Sequence, residues 1–227
     1  MDRGKRMKMN KCTVPAWILT NQRSGSTFLS SLLNSTNQFS STFNEHFHEH
    51  QIGMGNYKEW LPCNAKILKT HYKNVSSQIK KNVIKTYHPN IKFILLRRKD
   101  PVAHTISQYF HKGLRVSFIK KNQTRKMEKY ENASIPFNKQ ELISIYKETL
   151  LFWNNWDDFL EGEDYICISY ENFTEDPLRT MNRIFGYLDM KLPIEWKPEN
   201  NILKLENPLK NEYKKRLDKI IKEERIR

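Results

Sequence analysis

Short apolar runs closed by polar turns alternate along this chain with stretches in which apolar residues return every three or four positions. The first run, Ala16-Trp17-Ile18-Leu19-Thr20, passes through Gln22-Arg23-Ser24-Gly25-Ser26 into Thr27-Phe28-Leu29-Ser30-Ser31-Leu32-Leu33, which reads as strand, tight loop and helix. A second strand is predicted over Ala65–Thr70, followed by a polar, helix-compatible stretch from Val75 to Lys85. The third, Ile91–Leu96, ends in Arg97-Arg98 and leads through Asp100-Pro101 into a helix carrying Val102, Ile106 and Tyr109, with Asp100 as N-cap and Pro101 at the first helical position. Helical spacing of Leu142, Ile145, Leu150, Trp153 and Phe159 marks Glu141–Leu160. Tyr165–Tyr170 is a fourth strand and Pro177–Leu188 the helix after it. Phe152, Trp153 and Trp156 could form a sugar platform, but at helical spacing they read as core.

Strands alternating with helices predict an α/β fold: a central parallel β-sheet flanked by helices in three layers, with ligands beyond the carboxyl ends of the strands. The notable polar clusters all fall at those ends. A length of 227 residues without repeat or Gly/Ser-rich linker predicts a single domain over residues 1–227, with 1–15 flexible and 191–227 a C-terminal helical extension. No apolar run approaches the length needed to cross a bilayer. Cys12, Cys63 and Cys167 are widely spaced and contain no C-x-x-C, so a reducing, cytoplasmic setting is expected, with neither a disulfide framework nor a zinc site.

The formal charge of +14 attracts anions, but it cannot choose among nucleic acid, anionic membrane and phosphorylated small molecules. Much of the excess is Lys scattered after Lys204, the pattern of a solvated surface. A concentrated anion site has to rest on particular residues.

Arg23-Ser24-Gly25-Ser26-Thr27 between a strand and a helix is such a site. Gly25 allows close backbone approach, the first amides of the helix and the hydroxyls of Ser24, Ser26 and Thr27 can point at an oxyanion, and Arg23 adds a bidentate cation. The loop is P-loop-like, yet Thr20 stands where a nucleoside triphosphatase needs its first Gly and Ser26 where it needs Lys. Gln22 to Phe28 resembles the 5'-phosphosulfate loop of the sulfotransferase superfamily, Lys/Arg-Ser/Thr-Gly-Ser/Thr-Thr, in the Arg form typical of carbohydrate sulfotransferases. The superfamily's 3'-phosphate motif, a strand-end Arg with a Ser eight or nine residues on, is matched by Arg98 and Ser107, with the nine-residue spacing of the bacterial trehalose (Stf0-type) group. Arg97 or Lys99 could instead be the main contact. A third stretch, Tyr170-Glu171-Asn172-Phe173-Thr174-Glu175-Asp176-Pro177, is similar to the Tyr-Glu-Asp/Asn-Leu-x-x-Asp-Pro segment of the same enzymes. The cytosolic enzymes' Arg-Lys-Gly loop has no match.

The resemblance implies a transferase of the 2.8.2 class. It would use PAPS (3'-phosphoadenosine 5'-phosphosulfate) without a metal and sulfate a hydroxyl of an acceptor, expected to be a carbohydrate or glycolipid. Such chemistry needs a base for the hydroxyl and cations for the charge building on the leaving phosphate; Arg23 is the natural cation at the bridging oxygen. Two bases are implied by two branches of the superfamily. Phe43-Asn44-Glu45-His46-Phe47 is similar to the Pro-x-Glu-Tyr-Phe segment in which Glu is the base, which makes Glu45 the first choice. Lys69-Thr70-His71 is similar to the Lys-Thr-His in which His takes the proton and Lys assists at the sulfonate. His46, His48 and His50 have no second ligand cluster, so no metal site is expected. The competing readings are a nucleoside kinase-type phosphotransferase, against which Ser26 argues, and a non-catalytic basic protein binding nucleic acid or other anions, which leaves two ordered phosphate motifs unexplained.

Overall fold

Trp17 and Leu19 face one side of the first strand and Ala16 and Ile18 the other, and all four are fully buried, which is why this strand reads as an unbroken apolar run. The structure is a computed structural model that describes residues 16–39, 42–43, 67–71, 81–82, 85, 89–116, 118–199 and 202–226. Strands β1 (Ala16–Thr20), β2 (Thr42–Phe43), β3 (Ile67–His71), β4 (Lys92–Arg97) and β6 (Tyr165–Ser169) form one parallel sheet in the order β2-β3-β1-β4-β6. The short strands β5 (Ile119–Lys120) and β7 (Ile202–Leu203) pair antiparallel to each other apart from it.

One face of the sheet is covered by α1 (Ser26–Ser35) and α6 (Pro177–Tyr187): Leu29, Leu33, Ile184 and Phe185 pack with Ile18, Ile94 and Ile166. The other is covered by α4 (Lys139–Leu160), whose Trp156, Phe159 and Leu160 meet Trp17, Leu19, Phe93 and Leu95. Three layers result, as the alternation of elements predicts. On the α4 side, α2 (Pro101–Leu114) and α7 (Pro208–Glu223) join a further apolar cluster through Ile106, Phe110, Leu142, Tyr213 and Leu217. Helix α3 (Thr124–Glu131) and the single turn and a half of α5 (Tyr170–Glu175) lie between these elements in the chain.

Most predicted bounds hold within two residues. Asp100 caps α2 as expected, its carboxylate accepting from the Ala103 amide at 2.9 Å, with Pro101 at the start of the helix. Strand β3 reaches His71, and Tyr170 belongs to α5 rather than to β6 because the Ser169 side chain accepts from the Asn172 amide and starts a helix there. Trp156 is core, as its spacing implies. In the stretch from 75 to 85, residues 81, 82 and 85 are helical, and the rest lies outside the described residues, as does the segment 1–15. Among the described residues no helix is long and apolar enough to cross a membrane.

After β1 the chain goes out to β2 and β3 on one side of the sheet, and it later fills the other side with β4 and β6. This change of direction opens a crevice at the carboxyl ends of the neighbouring strands β1 and β4, where open α/β sheets bind ligands.

Candidate active site

The turn leaving β1 uses two left-handed residues, Arg23 at φ 66° and Gly25 at φ 86°. Gly25 suits that geometry and Arg23 does not; a non-glycine residue there costs about 1–2 kcal/mol. What holds it is on the next strand. Arg98, just past the end of β4, donates from Nε to the Arg23 carbonyl at 3.0 Å. Its guanidinium lies 4.2 Å from the centroid of the Tyr170 ring, a close cation–π contact. Tyr170 in turn packs so tightly on the loop that a Cβ at Gly25 would come within 2.5 Å of its Cδ2. Gly25, Tyr170 and Arg98 are thus stacked, and the loop's shape depends on a residue from each of three strand ends.

Gly25 is the N-cap of α1 and offers no side-chain cap to the first-turn amides. Gly25, Ser26, Thr27 and Phe28 line a cavity of about 300 Å³ together with Arg23 and Arg98. A larger one of about 860 Å³ is lined by Arg23, Arg98 and Ser107, and by Lys204 and Lys210 of the C-terminal segment. Tyr170 borders both. Unpaired helix-start amides, two guanidiniums and hydroxyls around a concave space of this kind are the donor set for a multiply charged oxyanion.

The electrostatics agree with that. Burial pulls the pKa of Arg23 below the usual guanidinium value, and the adjacent Arg98 charge adds to the effect. Burial does the same to Arg98, opposed by Tyr170, Glu171 and Asp100. Two cations whose backbone and side chain touch, in a half-buried cleft, make a positive field that favours a bound anion. His104, in α2, is fully buried and its Nε2 donates to the Gln22 carbonyl at 2.7 Å, with Ser24 Oγ at 3.5 Å. Its Nδ1 has no hydrogen-bond partner among the described residues. Burial, with Arg98 and Arg23 nearby, holds its pKa down at about 3, so it pins the loop as a neutral imidazole.

The three basic residues Arg97, Arg98 and Lys99 at the end of β4 separate by geometry. Arg97 pairs with Asp157 at 3.0 Å, on α4. Lys99 donates to Asn172 Oδ1 at 2.6 Å, on α5. Arg98 is the one that lines the cavities. Ser24 is buried against His104. Lys69, buried, and His71, half-buried, share one face of β3, with His71 in register with Thr20 at the end of β1. Neither borders the two cavities. Glu45 and the His46, His48, His50 group lie outside the described residues. Among the described residues no group of His, Cys, Asp and Glu could hold a metal ion.

Sequence reasoning passed over His104, Lys204 and Lys210, and it used Tyr170 only as part of a motif. His104 could have been found from its place one turn before Ser107 on the same helix face. Lys210 could have been found as a cation in the first turn of a helix announced by Asn207-Pro208.

The sequence matches the sulfotransferase domain family over residues 14–224. No curated protein matches it. Among solved structures, a sulfotransferase from Alicyclobacillus acidocaldarius is similar with a TM-score of 0.50 at 14% identity, covering 91% of this chain and 95% of that one. The sulfotransferase domain of the Synechococcus PCC 7002 olefin synthase gives a TM-score of 0.49 at 16% identity, covering 85% and 78%. A retinol dehydratase in complex with retinol and PAP gives 0.49 at 12% identity, covering 94% and 81%. With a family match that spans both the loop after β1 and the Arg98–Ser107 segment, the chain belongs to the sulfotransferase family and is a transferase of sulfuryl groups.

Proposed function

We propose that this protein moves the sulfuryl group of PAPS to a hydroxyl of a carbohydrate or glycolipid, as a single domain in a reducing cytoplasm. The observation that carries the reading is that Arg23 and Arg98, from different strands, touch each other and line the same two cavities. One adenosine with phosphates at both ends can use both.

PAPS supplies the electrophilic sulfur and an adenosine 3',5'-bisphosphate leaving group. Within this chain, the α1 amides and the hydroxyls of Ser26 and Thr27 take the 5' oxyanion, with buried Ser24 holding the loop, and the Arg23 guanidinium meets the charge that develops on the bridging oxygen. Phe28 and Tyr170 give apolar surface beside that end. Arg98 and Ser107 close on the 3'-phosphate from two sides. The fit is supported by Gly25, whose missing Cβ lets the Tyr170 ring pack against the loop, and by the donors, all cations, amides and hydroxyls suited to phosphate. Glu45 is the preferred proton acceptor for the attacking hydroxyl. His71, at a strand end beside the loop, is the alternative, with Lys69 on the same face assisting at the sulfonate.

Incubation with labelled PAPS and a panel of sugars, glycolipids and phenols tests the reaction. Label on a sugar hydroxyl is the expected result. Label on phenols alone contradicts the acceptor class, and no label on any hydroxyl, with nucleotide bound, contradicts the transfer.

A further inference from the structure

Lys210 stands against several local preferences at once. It lies in the first turn of α7, where the positive end of the helix dipole disfavours a cation. It is half-buried, and its ammonium donates to the Leu205 carbonyl at 2.5 Å while resting 5.2 Å from the Tyr130 ring and 5.7 Å from Phe110. Arg23 and Arg98 line the same cavity. Glu206, the acidic group of its own segment that bears on it, is tied to Lys204 at 2.7 Å.

This placement is built, not incidental. The Asn207 side chain donates to the carbonyls of Tyr130, Glu131 and Ala133 at 2.8, 3.1 and 3.0 Å, and its oxygen accepts from the Leu209 amide at 3.0 Å. The Tyr213 hydroxyl donates to the Ile135 carbonyl. The start of α7 is therefore locked to the end of α3, and Lys210 is held at the cavity wall. Local rules broken by residues so firmly held mark a site that a ligand completes.

We propose that Lys210 is a further cationic ligand of the cavity: a phosphate bound beside Arg23 and Arg98 also contacts its ammonium, and binding brings a proton into the cleft. The inference rests on the PAPS reading and adds to it the means by which the C-terminal segment closes the anion site. Burial first, then the charges of Arg23 and Arg98, hold the Lys210 pKa down at about 7; Lys204 adds to this and Glu206 opposes it. Tyr130, raised by burial to about 12, stays uncharged. The cavity's remaining charged groups are Asp100, Glu131, Glu171 and Lys214; the Lys214 ammonium lies 3.1 Å from Asp100, and Glu171 accepts from the Lys99 amide at 2.9 Å. A bound phosphate favours the ammonium and raises its pKa. Free Lys210 is mostly neutral above neutrality and the bound form is charged. Affinity is then full at mildly acid pH and falls by about tenfold for each pH unit above about 7, until the bound pKa is passed.

Calorimetry of the full chain with adenosine 3',5'-bisphosphate at about pH 8, in two buffers of different ionisation enthalpy, reads the proton directly; uptake of roughly half to one proton per nucleotide is expected. Lys210→Arg should bind with no uptake, and Lys210→Met should bind at least about tenfold more weakly near pH 6 with a flattened pH profile. Nucleotide binding without uptake in the native chain, or with uptake unchanged in Lys210→Arg, overturns the proposal while leaving the PAPS reading intact. If the nucleotide does not bind, the PAPS reading fails. Lys210 is then judged by NMR titration of its amine with and without sulfate: an upward midpoint shift keeps it as an anion ligand, and an unmoved midpoint removes it.

Discussion

Arg98 holds the backbone of Arg23 across the gap between two strand ends, its Nε donating 3.0 Å to the Arg23 carbonyl. The contact makes one unit of two segments 75 residues apart in sequence. It also leaves the terminal nitrogens of the Arg98 fork for a second partner. Lysine cannot do both. Arg98→Lys should therefore weaken adenosine 3',5'-bisphosphate by about 1.5–3 kcal/mol, as expected for a lost charged hydrogen bond, measured by calorimetry. A Lys variant with native affinity would show that the fork is not shared between loop and nucleotide.

Gly25→Ala tests the cradle. The new methyl would lie 2.5 Å from Tyr170 Cδ2 at a backbone φ of 86°, so both strain and clash oppose it. Loss of stability of about 1–3 kcal/mol is expected, with a displaced Tyr170 and a larger fall in nucleotide affinity than the fall in stability explains. Thermal unfolding with and without nucleotide separates the two; an unchanged ligand-induced rise in Tm would count against the cradle.

His104 ties the fold's acid stability to the loop. Its folded pKa of about 3 lies below the ordinary value of 6.5, so the unfolded chain binds a proton that the folded one refuses. Stability is then present above the ordinary value and is lost as pH falls from there toward about 3, by up to about 1.4 kcal/mol per pH unit. His104→Gln, able to keep one donor to the Gln22 carbonyl, should flatten that slope in urea titrations at several pH values. A slope identical to that of the native chain would assign the acid sensitivity elsewhere.

The base is decided by two variants. Glu45→Ala should leave nucleotide affinity unchanged and abolish sulfuryl transfer, whereas His71→Ala should retain transfer. The opposite pattern in a labelled-PAPS assay reassigns the proton acceptor to the strand-end histidine.

Much of this was legible in the sequence because the informative signals are local. An apolar run such as Ala16–Leu19, buried on both faces, announces a central parallel strand, and the Asp100-Pro101 pair announces a helix start. Arg23, Gly25, Arg98 and Ser107 could be picked out because each sits at a fixed offset from such an element. Lys210 and His104 were missed because their local signs, a cation in a first helical turn and a histidine one turn before Ser107, gain meaning only from tertiary packing. Lys210 enters the cavity through the packing of α7 against α2 and through Asn207, a tertiary arrangement without a periodic trace. The choice among Arg97, Arg98 and Lys99 likewise needed Asp157 and Asn172, which come from two later helices. The short β5–β7 pair joins residues more than 80 positions apart and was invisible for the same reason.

Calorimetric comparison of adenosine 3',5'-bisphosphate with ATP, in the absence of magnesium, tests the central claim most directly. The account predicts a preference of at least about a hundredfold for the bisphosphate, or some 2.7 kcal/mol, which disappears in Arg98→Ala. Equal affinity for the two nucleotides, or a preference that survives the loss of Arg98, would contradict it.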